Sequence, residues 1–389
     1  MLYLDYAATT PPYGEVVDTM AEVLKTHFGN PSSLHRIGVE AEQLVKQART
    51  VIADSLDGRP DEIIFTSGGT ESNNLAIQGA VRKFRRRGNH IITTAVEHAS
   101  VFETIHMLEE QGMRITVLPV NAAGVTDLTA LEEALSEETI LVSVMAVNNE
   151  VGTLQPIAQI GELLKSRNSR ALFHVDAVQA FCKLPISPAR CGIDLMSCSA
   201  HKLRGPKGNG LLYCRHGLEL EPLVWGGGQE GGRRPGTENV AGIVGMAKAV
   251  RMAAERQPDF VRHTAAIRER IVEGIRQIPE LVLNGADDAS IMAPHIIHFS
   301  FPGMKSEVLV HALEQQGVYV STRSACSSAA AQPSRVLKAM GCDDAVATSG
   351  IRISYSLDQS LEDAESFCRI LSQAVEQLKP AITPQRRRR

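Results

Sequence analysis

The sequence has no apolar run that approaches the roughly 20 residues a helix needs to cross a bilayer. It also shows no secretory signal, because Asp5 interrupts the start of the chain before an apolar segment can form. The formal net charge is only −4, so no overall field favours nucleic acid or an anionic membrane. We therefore expect a cytoplasmic protein that binds no membrane, makes no direct contact with nucleic acid and functions through local sites.

Cysteine is scarce, and its spacing matches neither a disulfide framework nor a metal site. Seven cysteines in 389 residues form no C-x-x-C pair. A metal site at Cys191, Cys198 and His201 is a weak alternative, since this spacing matches no common zinc pattern, and we predict no metal. Cys326 differs from the others because its neighbours at 324–331 are too small to bury it. We predict an accessible thiol at Cys326.

Internal repeats, low-complexity segments and Ser/Gly-rich linkers are absent as well. Short β-rich runs instead alternate with amphipathic segments, which predicts a mostly parallel α/β sheet with active groups at the carboxyl ends of its strands. We predict a large domain over residues 16–257 and a small α+β domain over residues 1–15 and 258–389. The predicted strands are 62–66, 90–95, 114–119, 140–146, 171–175, 195–198, 295–299, 318–320 and 351–354, and the predicted helices include 71–86, 100–110, 128–135, 157–165 and 307–315.

Two segments place reactive side chains directly after neighbouring apolar runs. Asp176 and Gln179 follow the first run, and Ser199, His201 and Lys202 follow the second. A lysine amine can hold pyridoxal phosphate (PLP), and a carboxylate can keep the pyridine nitrogen protonated so that the ring accepts electrons. Gln179 could donate to the phenolic oxygen, and Ser199 and His201 could hold the phosphate or form only a polar turn. A lone lysine is usually solvated and a lone buried aspartate is usually a cap or ion-pair partner, so the prediction of PLP depends on the pair.

A phosphate site is predicted where an apolar strand passes through a glycine pair into a helix. Gly69 and Thr70 stand at this junction, where free N–H groups and a hydroxyl could meet an anion. The alternative is an ordinary helix start with Glu71 in its first turn. Residues 226–231 match a dinucleotide-binding fingerprint by letter, but no clean βαβ unit surrounds them, so we do not predict a Rossmann site.

Eight motifs occur in order along nearly the whole chain. They lie at residues 5–10, 29–33, 70–74, 97–98, 147–152, 199–202, 236–239 and 324–327. Together they resemble the motifs of NifS/IscS-type cysteine desulfurases. The resemblance implies a fold-type I, class V aminotransferase-like PLP enzyme, with a large domain whose mostly parallel seven-stranded sheet is sandwiched by helices. It also implies conversion of L-cysteine to L-alanine, with the sulfur left on an enzyme cysteine.

The resemblance assigns roles to single residues. It makes Lys202 the lysine that holds PLP and Asp176 the partner of the pyridinium nitrogen. It stacks His98 on the cofactor ring and lets it move protons, although without the motif a capping or surface histidine would be the better interpretation. It puts Asn149 near the cofactor and the substrate carboxylate, which Arg352 would hold through a bidentate fork.

The remaining implied roles concern the phosphate, the subunits and the sulfur. Thr70, Ser199 and His201 would bind phosphate, and Gln179 would contact the phenolic oxygen. Thr237 in the family reaches the phosphate bound by the other subunit, which implies a homodimer with composite active sites. The alternative for the segment around Thr237 is simply a tight glycine-rich loop.

The resemblance makes Cys326 the sulfur acceptor. Its thiolate would form a persulfide, which then passes sulfur to an iron–sulfur scaffold or a tRNA-thiolation enzyme. A cysteine-bearing loop at about 321–332 should move, unless its small residues start a helix early. Arg323 departs from the small residue usual in the family, which bears on the mobility of the loop and on its partners.

Other functions stay open at this point. A selenocysteine lyase or a class V aminotransferase could share Lys202, Asp176 and Arg352, and a non-catalytic sulfur-carrier scaffold could keep the fold. The basic runs at 82–87 and 386–389 are best interpreted as a solvated helix end and a terminal tail. A contact with tRNA or an acidic carrier protein is the weaker alternative for both runs.

Overall fold

The structure, a computed structural model, describes residues 1–322 and 333–381. The predictions for Arg323, Cys326 and the tail at 386–389 therefore lie outside the described residues. The strands are β1 (Leu2–Tyr3), β2 (Ile63–Thr66), β3 (His90–Thr94), β4 (Arg114–Leu118), β5 (Thr139–Met145), β6 (Leu172–Asp176), β7 (Leu195–Ser199), β8 (Gly210–Cys214), β9 (Val282–Asn284), β10 (Ile296–Ser300), β11 (Val318–Tyr319) and β12 (Gly350–Ser354).

Helices lie between most of these strands, and the five helices whose bounds were predicted from the sequence are present within two residues of those bounds. The helices are α1 (Gly14–Thr26), α2 (Arg36–Asp54), α3 (Gly69–Phe84), α4 (Ala99–Glu110), α5 (Leu128–Ala134), α6 (Ile157–Ser166), α7 (Pro188–Cys191), α8 (Val240–Glu255), α9 (Gln257–Arg276), α10 (Ser306–Gln315), α11 (Arg335–Ala339), α12 (Asp344–Thr348) and α13 (Leu361–Leu378).

Seven strands form the main sheet in the order β2-β8-β7-β6-β5-β3-β4. All neighbouring pairs from β7 to β4 are parallel, whereas β8 runs antiparallel to both β7 and β2. The carboxyl ends of β2, β3, β5, β6 and β7 consequently lie at one edge of the sheet. The prediction of a mostly parallel seven-stranded α/β sheet is confirmed.

Helices cover both faces of this sheet because its strands carry apolar side chains on both sides. Val142 and Val144 of β5 pack in one apolar core with side chains of α1, α2, α6 and α8. Ile140 and Leu141 pack in a second core with side chains of α3 and α4. The sheet is thus a rigid platform on which loops at one edge can carry a site.

A second group of elements follows the main sheet in the chain. Strands β12, β10 and β9 form an antiparallel sheet in that order, and β1 pairs with β11 in parallel. These strands share an apolar core with α9, α10 and α13. These strands lie within the residues predicted for the small domain, 1–15 and 258–389, and the boundaries of that domain stay a prediction. No helix within residues 1–322 and 333–381 is both long enough and apolar enough to cross a membrane.

Candidate active site

A cavity of about 530 Å³ opens where the carboxyl ends of the main-sheet strands meet the N-terminal segment and β12. This volume lies in the range of small-molecule and cofactor sites. Ten of the residues predicted from the sequence line this one cavity: Gly69, Thr70, His98, Asn149, Asp176, Gln179, Ser199, His201, Lys202 and Arg352. Thr237, which is also described, is exposed and lies outside the lining.

Asp176 ends β6 inside the cavity, and two hydrogen bonds fix its carboxylate. The side-chain amide of Asn73 donates to one oxygen at 2.8 Å, and the backbone N–H of Val178 donates to the other at 3.0 Å. The amide nitrogen of Asn73 also donates to Ser100 Oγ at 2.8 Å. The carboxylate is therefore held in one orientation by groups that can only donate to it.

His98 caps the N-terminus of α4 and belongs to the same network. Its Nδ1 accepts the backbone N–H of Ser100 at 3.1 Å and lies 2.8 Å from Ser100 Oγ. Burial lowers the pKa of His98, so the ring is neutral at pH 7 and carries its proton on Nε2. One network thus joins His98, Ser100, Asn73 and Asp176.

Lys202 lies in a helical turn directly after β7, and its amine contacts the start of the chain. The Nζ atom donates to the carbonyls of Ala7 and Ala8, both at 2.6 Å. Gln179 donates through Nε2 to the same Ala7 carbonyl at 3.0 Å. The backbone N–H of Ala7 in turn donates to Ser354 Oγ at 2.8 Å. These bonds hold the N-terminal segment and the Lys202 amine at the cavity wall.

The opposite end of the cavity offers donors for an anion. Helix α3 begins at Gly69, so the backbone N–H groups of its first turn have no intrahelical partner. Ser199 Oγ is buried and has no hydrogen-bond partner among the described residues. His201 lies 3.1 Å from Thr9 Oγ1 through Nδ1, and burial with the nearby charges of Lys202 and Lys207 lowers its pKa to about 4. A neutral His201 would donate or accept a hydrogen bond at pH 7 rather than supply charge.

Gly69 is required by the space beside this anion end. A Cβ atom at Gly69 would lie 2.7 Å from Cγ2 of Val178, which also lines the cavity. Such a contact is too short for carbon atoms, so a larger residue would push Val178 or α3 aside. Glycine therefore lets the helix start approach the cavity wall.

Glu71 links this end of the cavity to the loop that carries Thr237. Its carboxylate accepts a 2.8 Å hydrogen bond from Nε of Arg234 and a 2.7 Å bond from the backbone N–H of Ser67. The loop is thus attached to the start of α3, although Thr237 itself does not line the cavity. The cation of Arg234 also compensates the negative charge of Glu71 beside the anion end.

Arg352 lies on β12 with only 1% of its surface exposed. One Nη atom donates to the carbonyl of Asn149 at 2.9 Å, and the other forms a 2.9 Å ion pair with Asp5. Its buried Nε has no hydrogen-bond partner in the part of the chain that the structure describes. A buried, unpaired N–H of a guanidinium is unfavourable, so a carboxylate at this point would be stabilised.

Sequence reasoning did not assign roles to several residues that the structure brings to the site. Asn73 lies in the quoted motif at 70–74, and its i, i+3 spacing from Thr70 puts both on one helix face, which could have indicated it. The carbonyls of Ala7 and Ala8 and the side chain of Ser100 carry no comparable signal. Lys183 is also buried behind the cavity, where its Nζ donates to Gln179 Oε1 at 3.3 Å.

The residues present fit a phosphorylated pyridine aldehyde such as PLP. An amine at Lys202 and a fixed carboxylate at Asp176 match its aldehyde and ring nitrogen. The unpaired hydroxyl of Ser199 and the start of α3 match its phosphate. The donor set, and not only the cavity volume, therefore agrees with this cofactor class.

Comparison with known proteins gives similarity over nearly the whole chain. Residues 2–367 match the family model described as aminotransferase class-V. A cysteine desulfurase IscS of Dictyoglomus turgidum is 43% identical over 384 residues, which cover 98% of this chain and 96% of that protein. A cysteine desulfurase IscS of Clostridium botulinum is 42% identical over 377 residues, which cover 97% of this chain and 94% of that protein.

Solved structures give the same similarity at the level of the fold. A structure titled NifS-like protein has a TM-score of 0.91 and 38% sequence identity, covering 97% of this chain and 100% of that one. A structure titled SspA in complex with cysteine has a TM-score of 0.80 and 36% identity, covering 91% of this chain and 98% of that one. The similarity thus includes the seven-stranded sheet and the elements that follow it.

Proposed function

This chain is a cysteine desulfurase of the class-V aminotransferase family, and we propose that it binds PLP and L-cysteine in this cavity and leaves the substrate sulfur on Cys326. The observation that carries the proposal is that Arg352, which is distant in the sequence, lines one cavity with Lys202 and Asp176. An amine, a fixed carboxylate and a buried guanidinium are the groups that this cofactor and an amino-acid substrate require together.

Bound PLP would supply an electron sink that stabilises negative charge at the substrate α-carbon. In our proposal, Lys202 holds the cofactor, and its Nζ moves the α-proton of the substrate. Asp176 holds the proton of the pyridine nitrogen, and Gln179 donates to the phenolic oxygen. Thr70, Ser199, His201 and the N–H groups that begin with Gly69 would bind the phosphate.

The substrate carboxylate would bind between Arg352 and Asn149. Arg352 lines the cavity, and its Nε–H has no partner among the described residues, so the guanidinium would pair with this carboxylate. Asp5 keeps the guanidinium in place by its 2.9 Å ion pair. The negative charge of Asp5 also limits the affinity for a carboxylate, so product release is not blocked.

The sulfur step that we propose uses the thiolate of Cys326. Its sulfur attacks the sulfur of the substrate, an S–S bond forms, and the substrate C–S bond breaks. The electron pair of the broken bond stays on carbon, which takes a proton and becomes the methyl group of alanine. Because Nδ1 of neutral His98 accepts the Ser100 N–H, we propose that its Nε2–H stabilises the Cys326 thiolate while the thiol proton moves to that carbon.

The chain on either side of residues 323–332 supports access of Cys326 to the cavity. The backbone of Ser321 pairs with Arg352 in both directions, at 2.8 and 3.2 Å. Cys326 lies five positions after Ser321, and an extended chain of five residues spans about 17 Å. A thiol attached at this distance from Arg352 can reach a substrate held by Arg352.

Thr237 and the sulfur acceptor belong to the assembly that we propose. Thr237 is exposed on a loop attached to α3 through Arg234 and Glu71, so a second copy of the chain could use it. We propose a homodimer in which Thr237 contacts the phosphate of the partner's site. We further propose that the persulfide passes to a protein acceptor, either an iron–sulfur scaffold or a tRNA-thiolation enzyme.

The experiment that tests this function measures alanine formed from L-cysteine by the PLP-loaded protein. We expect Cys326→Ser to retain PLP absorbance but to lose alanine formation. The control variant Cys342→Ser, which alters a half-buried cysteine, should retain both PLP absorbance and alanine formation. Full alanine and sulfide production by Cys326→Ser would overturn the persulfide step. Alanine formed only from selenocysteine would indicate a selenocysteine lyase, and absence of the PLP absorbance band in the wild-type protein would indicate a non-catalytic scaffold.

A further inference from the structure

Arg335 begins α11 and contacts a loop of the cavity wall that lies far away in the sequence. Its guanidinium donates through two nitrogens to the backbone carbonyls of Ala95 and Glu97. The same guanidinium lies 4.1 Å from the centre of the Phe102 ring in α4. Residue 98, which follows the second carbonyl directly, is the predicted catalytic histidine.

The residues next to Arg335 bind a second wall loop. Ser334 donates through its hydroxyl to the carboxylate of Glu150 at 2.6 Å, one residue after Asn149. We call residues 334–337 the anchor segment. Two loops that carry predicted site residues are thus bonded to the same four residues.

An apolar cluster supports the polar contacts of the anchor segment. Val336 and Leu337 are buried in a cluster that also contains Val96 and Val151. Val96 belongs to the loop that Arg335 binds, and Val151 belongs to the loop that Ser334 binds. Each loop is therefore held by a hydrogen bond and by apolar packing at neighbouring positions, so its displacement would disrupt both.

We propose that Arg335 is a positioning residue that fixes the backbone before His98 and so sets the orientation of the His98 ring in the cavity. Because His98 has a catalytic role only in the proposed reaction, this role of Arg335 rests on the proposed function. A planar guanidinium can bridge two carbonyls and stack on a ring at once. A lysine ammonium at this position could still bond to a carbonyl, but it has no planar group to stack on the Phe102 ring.

The orientation of His98 depends on this backbone through the N-terminus of α4. The peptide after Glu97 leads directly into the cap, where Nδ1 of His98 accepts the N–H of Ser100. Phe102 lies one turn further along α4, so Arg335 contacts the cap from both sides. Without Arg335, the 95–97 backbone and the start of α4 lose their common contact, and the ring is free to tilt.

The test combines Arg335 and His98 variants in the PLP-loaded protein. We expect Arg335→Met to lower kcat/KM for L-cysteine on the order of tenfold to a hundredfold, since small misplacement of a reacting group has effects of this size. In a His98→Gln background the same change should lower kcat/KM less than about twofold, because the positioned ring is already gone. The visible absorbance maximum of bound PLP should shift in Arg335→Met and not shift further in the double variant.

Matched variants separate positioning from general stability. Arg268 is also buried and donates to a backbone carbonyl, that of Ile296, but it does not line the cavity. Arg268→Met should leave the PLP absorbance maximum unchanged. Arg335→Lys should have a kcat/KM for L-cysteine between those of the wild type and Arg335→Met. Millimolar ethylguanidinium should partly restore the activity of Arg335→Ala.

Equal losses from Arg335→Met with and without His98 would overturn the proposal, as would an unchanged PLP spectrum in every Arg335 variant. If Arg335→Met does not fold, the same comparison with Arg335→Lys decides the question. Failure of the wild-type protein to form alanine would instead contradict the proposed function, so the two failures are distinguishable.

Discussion

The side-chain amide of Asn73 donates a hydrogen bond of 2.8 Å to a carboxylate oxygen of Asp176. The same nitrogen donates to Ser100 Oγ, which lies 2.8 Å from His98 Nδ1. The residue proposed for the pyridine nitrogen and the residue proposed to stack on the ring are therefore oriented by one amide. A change at Asn73 should affect both positions without altering either group.

Asn73→Leu should weaken PLP binding. The leucine keeps a similar volume but leaves Asp176 with one hydrogen bond fewer, and a bond to a charged group contributes about 1.5–3 kcal/mol. The dissociation constant for PLP should rise roughly tenfold to a hundredfold, measured by titration of the apoprotein with PLP. Asn74→Leu is the matched control, since Asn74 lies on the same helix but bonds to Thr104 and Thr70. Equal affinities of the two variants would contradict this role of Asn73.

Arg352→Lys should impair substrates that carry a carboxylate. A lysine replaces a fork of parallel donors by one ammonium group, so the KM for L-cysteine should rise roughly tenfold to a hundredfold. Cysteamine, which lacks the carboxylate, serves as the control ligand, and its affinity should change less than about twofold. Steady-state kinetics and competition by cysteamine provide both values. A similar loss for both compounds would show that Arg352 acts through the fold and not through the carboxylate.

Glu97→Gln should change the pH dependence of stability. Burial raises the pKa of Glu97 to about 8, so the folded protein keeps this proton between its ordinary pKa near 4.5 and about 8, while the unfolded chain loses it. The stability that Glu97 contributes is complete below pH 4.5 and is lost as the pH rises through 8. Glutamine can still accept hydrogen bonds from Thr94 and the Met145 N–H, as Oε1 of Glu97 does, and does not titrate.

The free energy of unfolding of Glu97→Gln, relative to the wild type, should therefore increase between pH 5 and pH 8.5. Urea unfolding at several pH values measures this difference. A difference that stays constant with pH would show that Glu97 does not titrate in this range in the folded protein.

The α/β arrangement could be predicted because its signal is local. Apolar runs such as 172–176 and 195–199 each end in a polar residue, Asp176 and Ser199, which puts these side chains at the edge of the sheet. Strand β8 was not predicted. It follows a glycine-rich turn directly after β7, and its antiparallel direction breaks the alternation of strands and helices.

Contacts across the chain could not be predicted in the same way. The bond between Lys202 and the Ala7 carbonyl joins residues 195 positions apart, and the bond between Arg335 and the Ala95 carbonyl spans 240 positions. No periodicity or spacing in the sequence indicates which distant residues form such hydrogen bonds, because these bonds depend on how separate elements pack. The sequence could indicate which groups belong to the site, but their partners required the structure.

Sulfur transfer to Cys326 is tested most directly by locating the sulfur after a single turnover. The PLP-loaded protein is given L-cysteine without an acceptor, alanine is quantified, and peptides are searched by mass spectrometry for the mass of one added sulfur atom. We predict equal amounts of alanine and of persulfide at Cys326, and no persulfide at the half-buried Cys191, Cys342 and Cys368. Alanine formed without a persulfide, or a persulfide on another cysteine, would contradict the account.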